Sequence, residues 1–202
     1  MFPAANPGRE LDMRDLSLHI LDIAQNAIGA EADSIAVKLS AEGNPAVLKV
    51  VIADNGRGMN PDFLEKVTDP FTTTRKTRQV GLGIPLFKQS AELAGGEFSI
   101  RSAVNEGTEV VATFPVDSVD RIPAGNIADT LAMLITSHPE IDWEIRFASG
   151  DKQFEFSLKE VKEALNGVSI TNIHVQEWIQ NTLSEGFRSV FGGVLDEVNQ
   201  RA

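Results

Sequence analysis

The sequence predicts an α+β fold in which helices cover one face of a mixed, mostly antiparallel sheet. Two patterns lead to this class. Some segments carry apolar residues at every third or fourth position, as amphipathic helices do, and others alternate apolar and polar residues, as half-buried strands do. The strand-like segments come in neighbouring pairs separated by short turns, which favours hairpins over parallel strand–helix–strand units.

The first part of the chain begins with a helix and two strands. Apolar residues spaced by three and four predict a helix over residues 15–30. Alternating segments predict strands over residues 34–39 and 46–53. A short helix is expected over residues 61–67, since Asn60 can cap it and proline is favoured at a first helical position.

Further elements follow beyond residue 84. A helix is predicted over residues 85–93 because glycines follow it directly, and two strands over residues 97–103 and 108–114 form a hairpin. Beyond Pro115 the patterns predict helices over residues 127–137, 158–165 and 175–191. They also predict a pair of strands over residues 142–147 and 153–157.

We therefore divide the chain into three regions. These are an N-terminal arm (residues 1–14), a main domain (15–116) and a small α+β C-terminal region (117–202).

The composition excludes several classes of protein. The chain has 202 residues, 42% of them hydrophobic, and no cysteine, so disulfides and thiolate metal sites are excluded. The formal net charge of −11 disfavours a nucleic-acid partner, which requires a basic face. No apolar run reaches about 18 residues and the first residues lack a signal-peptide core, so we expect a cytoplasmic protein without a membrane segment.

Two motifs place polar side chains beside apolar elements. Asp22 and Asn26 lie one turn apart on the first helix, where a carboxamide oxygen suits Mg²⁺ and a carboxylate can act as a base; a solvated helix face is the alternative. Asp54 ends a predicted strand and is followed by Gly56 and Gly58, which presents an acceptor at the floor of a pocket. An ordinary Asp-Asn-Gly turn is the alternative there.

Two further motifs suit a phosphate-rich ligand. Residues 69–78 combine hydroxyl groups with three cations, which favours a triphosphate, although a solvated basic loop is the alternative. Gly81 and Gly83 open a helix, where free N–H groups and the helix dipole attract phosphate, unless they form an ordinary loop. Neither a Rossmann nor a P-loop pattern is complete.

In this order, the motifs DIAQN, DNGRGM, DPFTTTR and GLGI resemble the N-box, first glycine box, F-box and second glycine box of the GHKL superfamily. The superfamily is named for gyrase, heat-shock chaperones, histidine kinases and MutL. The resemblance covers residues 15–116 and implies the Bergerat fold, an α/β sandwich that binds ATP with Mg²⁺. Residues 83–115 are most similar to the end of a histidine-kinase catalytic domain, whereas residues 26–37 resemble the MutL branch.

The resemblance implies a role for each matching residue. Asn26 would ligate Mg²⁺, Asp54 would read adenine, and Asp22 would be the catalytic base. The other residues that it assigns to the nucleotide are Gly56, Gly58, Met59, Thr73, Thr74, Lys76, Arg78, Gly81, Gly83, Ile84 and Thr108.

Some features depart from the family pattern. Asp22 stands where hydrolysing members carry a glutamate, and its carboxylate is one methylene shorter, so we expect slow hydrolysis. Gln79 replaces a usual glycine, and the segment before Gly81 is short, as in nitrogen-regulatory kinases. His19 lies on nearly the same helix face as the N-box asparagine. A structural role is favoured over a phosphoacceptor role, because histidine kinases carry that residue on a separate domain.

Residues 117–202 match no catalytic pattern, and their large aromatic residues are interpreted as core: Trp143, Phe147, Phe154, Phe156 and Trp178. The region is interpreted as a module that binds a protein partner or forms a homodimer. It resembles the tails of ATP-binding proteins encoded near iron-hydrogenase subunits in anaerobic bacteria. The leading hypothesis is an Mg-ATP-binding ATPase or protein-kinase-like regulator. The alternative is a non-catalytic nucleotide-dependent switch or an anti-sigma-like binding protein.

Overall fold

The computed structural model describes residues 15–68, 82–192 and 194–195. Helices and strands alternate in blocks over these ranges, in the order α1 (Leu16–Gly29), β1 (Ser34–Gly43), β2 (Ala46–Asp54), α2 (Pro61–Val67), α3 (Gly83–Leu93), β3 (Phe98–Ala103), β4 (Gly107–Pro115), α4 (Ile127–Ser137), β5 (Asp142–Ser149), β6 (Lys152–Ser157), α5 (Leu158–Ala164) and α6 (Ile173–Phe191). None of these helices combines the length and apolar character needed to cross a membrane.

The strands form one six-stranded mixed sheet in the order β3-β4-β2-β1-β5-β6. Within the described ranges β1 and β5 run parallel, and the other neighbouring pairs are antiparallel. The α+β class and the mixed, mostly antiparallel sheet predicted from the sequence are therefore confirmed.

One face of the sheet carries the hydrophobic core. In β1 every second residue is buried, and the register places Val37 opposite Ile52 of β2 and Ile145 of β5, all three almost fully buried. This alternation is the pattern expected where only one face of a sheet is covered. Helices α1, α3 and α6 pack on the sheet, and α4 packs against α1 and α6.

The C-terminal region continues this architecture. Strands β5 and β6 extend the same sheet beyond β1, so the predicted boundary at residue 116 falls within one layered structure with one core cluster. The assignment of separate roles to the main domain (residues 15–116) and to the C-terminal region (117–202) stays a prediction. Trp143 is fully buried as expected, but Trp178 is 49% exposed on α6, so its interpretation as core was wrong.

The first turn of α1 is held from two sides. The Asp15 carboxylate accepts a hydrogen bond from the Leu18 N–H at 3.0 Å, which is an ordinary N-cap. The N–H of Leu16 donates to the carbonyl of Pro123 at 2.9 Å, and that of Ser17 to the carbonyl of Ala124 at 3.1 Å. The segment that leads into α4 thereby fixes the start of the helix that carries the N-box.

Candidate functional site

Helix α1 directs a stripe of polar side chains into the interior. His19, Asp22 and Asn26 are spaced by three and four residues, so they share one helix face. Within the described ranges, one buried polar atom of each lacks a hydrogen-bond partner: Nδ1 of His19, Oδ2 of Asp22 and Nδ2 of Asn26. Buried polar groups are normally paired. Of these three residues Asn26 lines the cavity described below, so its unpaired amide is placed to meet a ligand.

His19 lies at the structural end of this stripe. It is fully buried, stacks on Phe87 with ring centroids 4.9 Å apart, and its Nε2 lies 3.1 Å from the Ser90 hydroxyl of α3. Burial lowers the pKa of His19 to about 4, and the negative charge of Asp15 opposes this in part. An inaccessible imidazole packed between two helices supports the structural role expected from the sequence.

Asp54 ends β2 at the floor of the site. Its Oδ1 accepts a hydrogen bond from the Gly56 N–H at 2.9 Å. Burial raises the pKa of the Asp54 carboxyl, and hydrogen bonds from the backbone N–H groups of Gly56 and Thr108 partly offset that rise. The cross-strand register pairs Asp54 with Thr108 of β4, so the carboxylate and this residue lie side by side.

Two glycines bring the loop after β2 against the β3–β4 hairpin. Gly58 has a φ of 61°, and a Cβ there would lie 1.9 Å from the carbonyl oxygen of Ala103. Gly107 has a φ of 95°, and a Cβ there would lie 1.9 Å from the carbonyl oxygen of Asp54. Only glycine fits this combination of positive φ and close backbone approach. The loop and the hairpin can therefore wall one cavity together.

The first residue of the loop after β2, Asn55, ties that loop to the start of β1. Its Oδ1 accepts hydrogen bonds from the N–H groups of Asp33 and Ser34 at 3.1 and 3.0 Å, and its Nδ2 donates to the Asp33 carboxylate. The Asp142 N–H, at the start of β5, donates to the Asp33 carbonyl at 2.8 Å. Sequence reasoning assigned no function to Asn55, and the structure shows that it bridges the site to the C-terminal strands.

These elements enclose a cavity of about 290 Å³. Its wall is mostly apolar, with polar groups at a few positions, as in small-molecule sites. The lining residues that the sequence predicted are Asn26, Asp54, Gly58, Met59, Ile84 and Thr108. Lining residues that it missed include Ile23, Arg57, Phe63 and Val110. Ile23 in α1 and Val110 in β4 occupy buried positions of the apolar periodicity, which is the signal that could have found them, whereas Arg57 lies in the loop after β2 and Phe63 is 37% exposed on α2.

Ser102 is a polar residue of the site that sequence reasoning missed. Its hydroxyl lies 2.9 Å from the Met59 nitrogen, 2.8 Å from the Gly107 carbonyl oxygen and 2.9 Å from the Thr108 hydroxyl. The cross-strand register of the hairpin pairs Ser102 with Thr108. A polar residue opposite a predicted ligand residue in a hairpin is the signal that points to it.

Asp22 and Gly83 meet at the beginning of α3. A Cβ at Gly83 would lie 1.4 Å from Asp22 Oδ2, so only the absence of a side chain lets α3 approach α1 this closely. Burial raises the pKa of the Asp22 carboxyl. Neither residue lines the cavity. Helix α3 begins at Gly83, two residues before the predicted start, because Pro85 in the first turn needs no N–H partner.

Other predicted residues contribute differently or cannot be placed. Gly56 supports Asp54 through its N–H and does not line the cavity. The predicted phosphate-facing residues lie outside the described residues: Thr73, Thr74, Lys76, Arg78 and Gly81.

The described site suits a flat heteroaromatic group that carries a hydrogen-bond donor. The side chains of Ile23, Met59 and Ile84 provide apolar walls, and the carboxylate of Asp54 provides an acceptor. Asn26 lies on the α1 side of the same cavity, where an amide can meet a second, more polar part of a ligand.

Comparison with known proteins gives the same picture. Residues 11–118 match the family described as histidine kinase-, DNA gyrase B-, and HSP90-like ATPase. Histidine protein kinase DivJ of Caulobacter vibrioides is 33% identical over 111 residues, which is 53% of this chain and 19% of the kinase. Sporulation kinase D of Bacillus subtilis is 36% identical over 101 residues, which is 49% of this chain and 19% of that kinase. The chain thus spans about a fifth of the length of these relatives.

A solved structure extends the likeness in fold beyond residue 118. The N-terminal domain of a DNA repair protein aligns with a TM-score of 0.50 and 14% identity, covering 89% of this chain and 57% of that one. The predicted resemblance to hydrogenase-associated proteins is not confirmed by these comparisons and stays a prediction.

Proposed function

Because the chain belongs to the histidine kinase-, DNA gyrase B- and HSP90-like ATPase family, the GHKL superfamily, we propose that it binds Mg-ATP in the cavity between α1 and the β3–β4 hairpin and acts as an ATPase or protein-kinase-like regulator. The observation that carries this proposal is the half-buried Asp54 carboxylate at the floor of a mostly apolar cavity that Asn26 also lines. A carboxylate whose pKa is raised by burial and that lies in a cavity is typical of a ligand site.

Asp54 is the residue proposed to read the base. Its Oδ1 already accepts from Gly56, so its remaining lone pairs are available to an exocyclic amine. Met59 and Ile84 would cover the faces of the ring, and Thr108 would lie beside the amine. Charge-assisted hydrogen bonds of this kind are roughly twice as strong as neutral ones, which gives Asp54 the largest share of base recognition.

Asn26 is the residue proposed to hold Mg²⁺. It lines the cavity, and its buried Nδ2 has no hydrogen-bond partner within the described ranges, as expected of an amide that meets a ligand. Its carboxamide oxygen is the hard type of donor that Mg²⁺ prefers. When bound, the ion would neutralise part of the negative charge of the phosphates. The phosphate end of the site would also involve the residues between 69 and 81 that the resemblance assigns.

Asp22 determines whether the proposed function is enzymatic. Burial raises the pKa of its carboxyl, which strengthens it as a general base. Against this, its Oδ2 packs at Gly83 and the residue does not line the cavity. That second observation favours the alternative, a non-catalytic nucleotide-dependent switch or anti-sigma-like protein, in which Asp22 fixes the spacing of α1 and α3. In both cases residues 117–202 would bind a protein partner or form a homodimer, in the cytoplasm.

Calorimetry of Mg-ATP binding tests the site. Asp54→Asn removes the charge but keeps the shape, and we expect the affinity to fall at least about tenfold, since hydrogen bonds to charged groups contribute about 1.5–3 kcal/mol. Asn26→Ala should lower the affinity in Mg²⁺ but have much less effect in EDTA. Asp62→Asn and Gln25→Ala, at exposed positions of α2 and α1, are the matched controls. Unchanged affinity in both site variants would refute the assignment.

Phosphate release by Asp22→Asn separates the two functions. Loss of release with retained ATP binding supports an enzyme that uses Asp22 as its base. Release that is equal in the wild type and the variant supports the switch.

A further inference from the structure

The Ser102 hydroxyl has three polar neighbours and can satisfy all of them in only one way. The Met59 nitrogen, the Gly107 carbonyl oxygen and the Thr108 hydroxyl lie within 2.9 Å of it. The Gly107 carbonyl can only accept, so the single hydrogen of Ser102 points to it. The Met59 N–H can only donate, so it occupies one lone pair of Ser102.

The remaining lone pair of Ser102 therefore takes the hydrogen of Thr108. With its hydrogen directed to Ser102, the Thr108 hydroxyl has only lone pairs left for the cavity. Thr108 lines that cavity beside the Asp54 carboxylate, its register partner. An ionised carboxylate is also an acceptor only. This part of the cavity thus presents acceptors from both residues and requires a donor from the ligand.

We propose that Ser102 is a positioning residue that sets the base specificity of the site by fixing Thr108 as an acceptor. The inference rests on the proposed function, that the cavity binds a purine nucleotide. A 6-amino purine offers two amine hydrogens to the acceptors, directly or through one water. A 6-oxo purine places a carbonyl oxygen there instead, and the acceptors that face position 6 repel it. Sites built to pair with a donor reject analogues that lack it.

Loss of Ser102 releases this constraint. In Ser102→Ala the Thr108 hydroxyl turns freely and can donate to a 6-oxo group, so the penalty against that base shrinks. Removal of a purely structural hydrogen bond would weaken the binding of both bases alike. The ratio of the two affinities therefore distinguishes positioning from general support.

The test is calorimetry of the full chain with Mg-ATP and with Mg-ITP, which differ at purine position 6. We expect the wild type to prefer ATP and Ser102→Ala to lose about fivefold to tenfold of that preference, the usual scale of one hydrogen bond. Ser99→Ala, at an exposed position on the same strand, should keep the wild-type ratio of the two affinities. Ser102→Thr should also keep most of that ratio, because threonine retains the hydroxyl.

Several outcomes would overturn the inference. Equal losses for ATP and ITP in Ser102→Ala would make Ser102 a structural residue only, and a wild type without base preference would also refute the proposal. If Ser102→Ala does not fold, Thr108→Val removes the positioned hydroxyl at constant shape, and an unchanged ratio in that variant overturns the proposal. A wild type that binds neither nucleotide refutes the proposed function itself, which is a different result from binding without discrimination.

Discussion

Acidification should destabilise the protein through His19, the buried imidazole of α1. The ring is fully buried, stacks on Phe87 and lies 3.1 Å from the Ser90 hydroxyl, so protonation would place a charge between two packed helices. Burial accordingly lowers the pKa of His19 to about 4. In the unfolded chain the imidazole returns to its ordinary value of 6.5.

The sign and size of the effect follow from this difference. Between pH 6.5 and about 4 the unfolded chain takes up a proton that the folded protein does not, so the free energy of unfolding falls as the pH falls through that window. The full difference between the two pKa values corresponds to about 3 kcal/mol below pH 4, and to about 2 kcal/mol at pH 5. The pH dependence contributed by His19 fades above pH 6.5, as the imidazole of the unfolded chain loses its proton.

Urea denaturation at about pH 7.5 and about pH 5 measures the effect, with His19→Gln as the comparison. Glutamine does not titrate but can still hydrogen-bond Ser90. Burial raises the pKa of Asp22 and Asp54, and these carboxyls act in the opposite direction, since they favour the folded protein as the pH falls. They are present in both proteins and cancel in the comparison. We expect the wild type to lose about 2 kcal/mol more than His19→Gln on acidification. Equal losses would refute the buried, neutral imidazole.

Two further substitutions test the packing. Gly83→Ala puts a Cβ 1.4 Å from Asp22 Oδ2, so α1 and α3 must separate. We expect this variant to have a lower melting temperature and weaker ATP binding. Gly29→Ala, where a Cβ meets open space, should show neither change. Trp143→Phe removes the indole N–H bond to the His138 carbonyl at 3.1 Å. It should cost at least about 1 kcal/mol in urea denaturation, because one neutral hydrogen bond is lost and the smaller ring fills the core less well. ATP affinity should not change, because Trp143 does not line the cavity, and a changed affinity would contradict this.

The sequence predicted the parts of the fold that depend on local patterns. Alternation placed the starts of β1 and β2 correctly, although β1 continues to Gly43, four residues beyond its predicted end. The spacing of Asp22 and Asn26 placed them on one face of α1. Motif order, compared with a known family, grouped Asn26 with Asp54 across the chain. Each of these inferences uses information carried by neighbouring residues or by a familiar order of motifs.

The features that escaped prediction depend on contacts between distant segments. The parallel pairing of β1 with β5 joins residues about a hundred positions apart, and no local pattern specifies it. The hydrogen bonds of Ser102 form because Met59 and Thr108 approach it from two different segments of the chain. The exposure of Trp178 depends on which face of α6 meets the sheet, and residue type alone does not determine that.

The Asn55 bridge has a mechanical consequence for the molecule. One carboxamide holds Asp33 and Ser34 in place, and the same Asp33 carries the first hydrogen bond of β5 through its carbonyl. The loop after β2 and the start of β5 are therefore both hydrogen-bonded to the same residue, Asp33. A rotation of the peptide after Asp54 would strain or break the three side-chain hydrogen bonds of Asn55 and the bond from its N–H to the Ser34 carbonyl, next to the residues where β1 and β5 begin to pair.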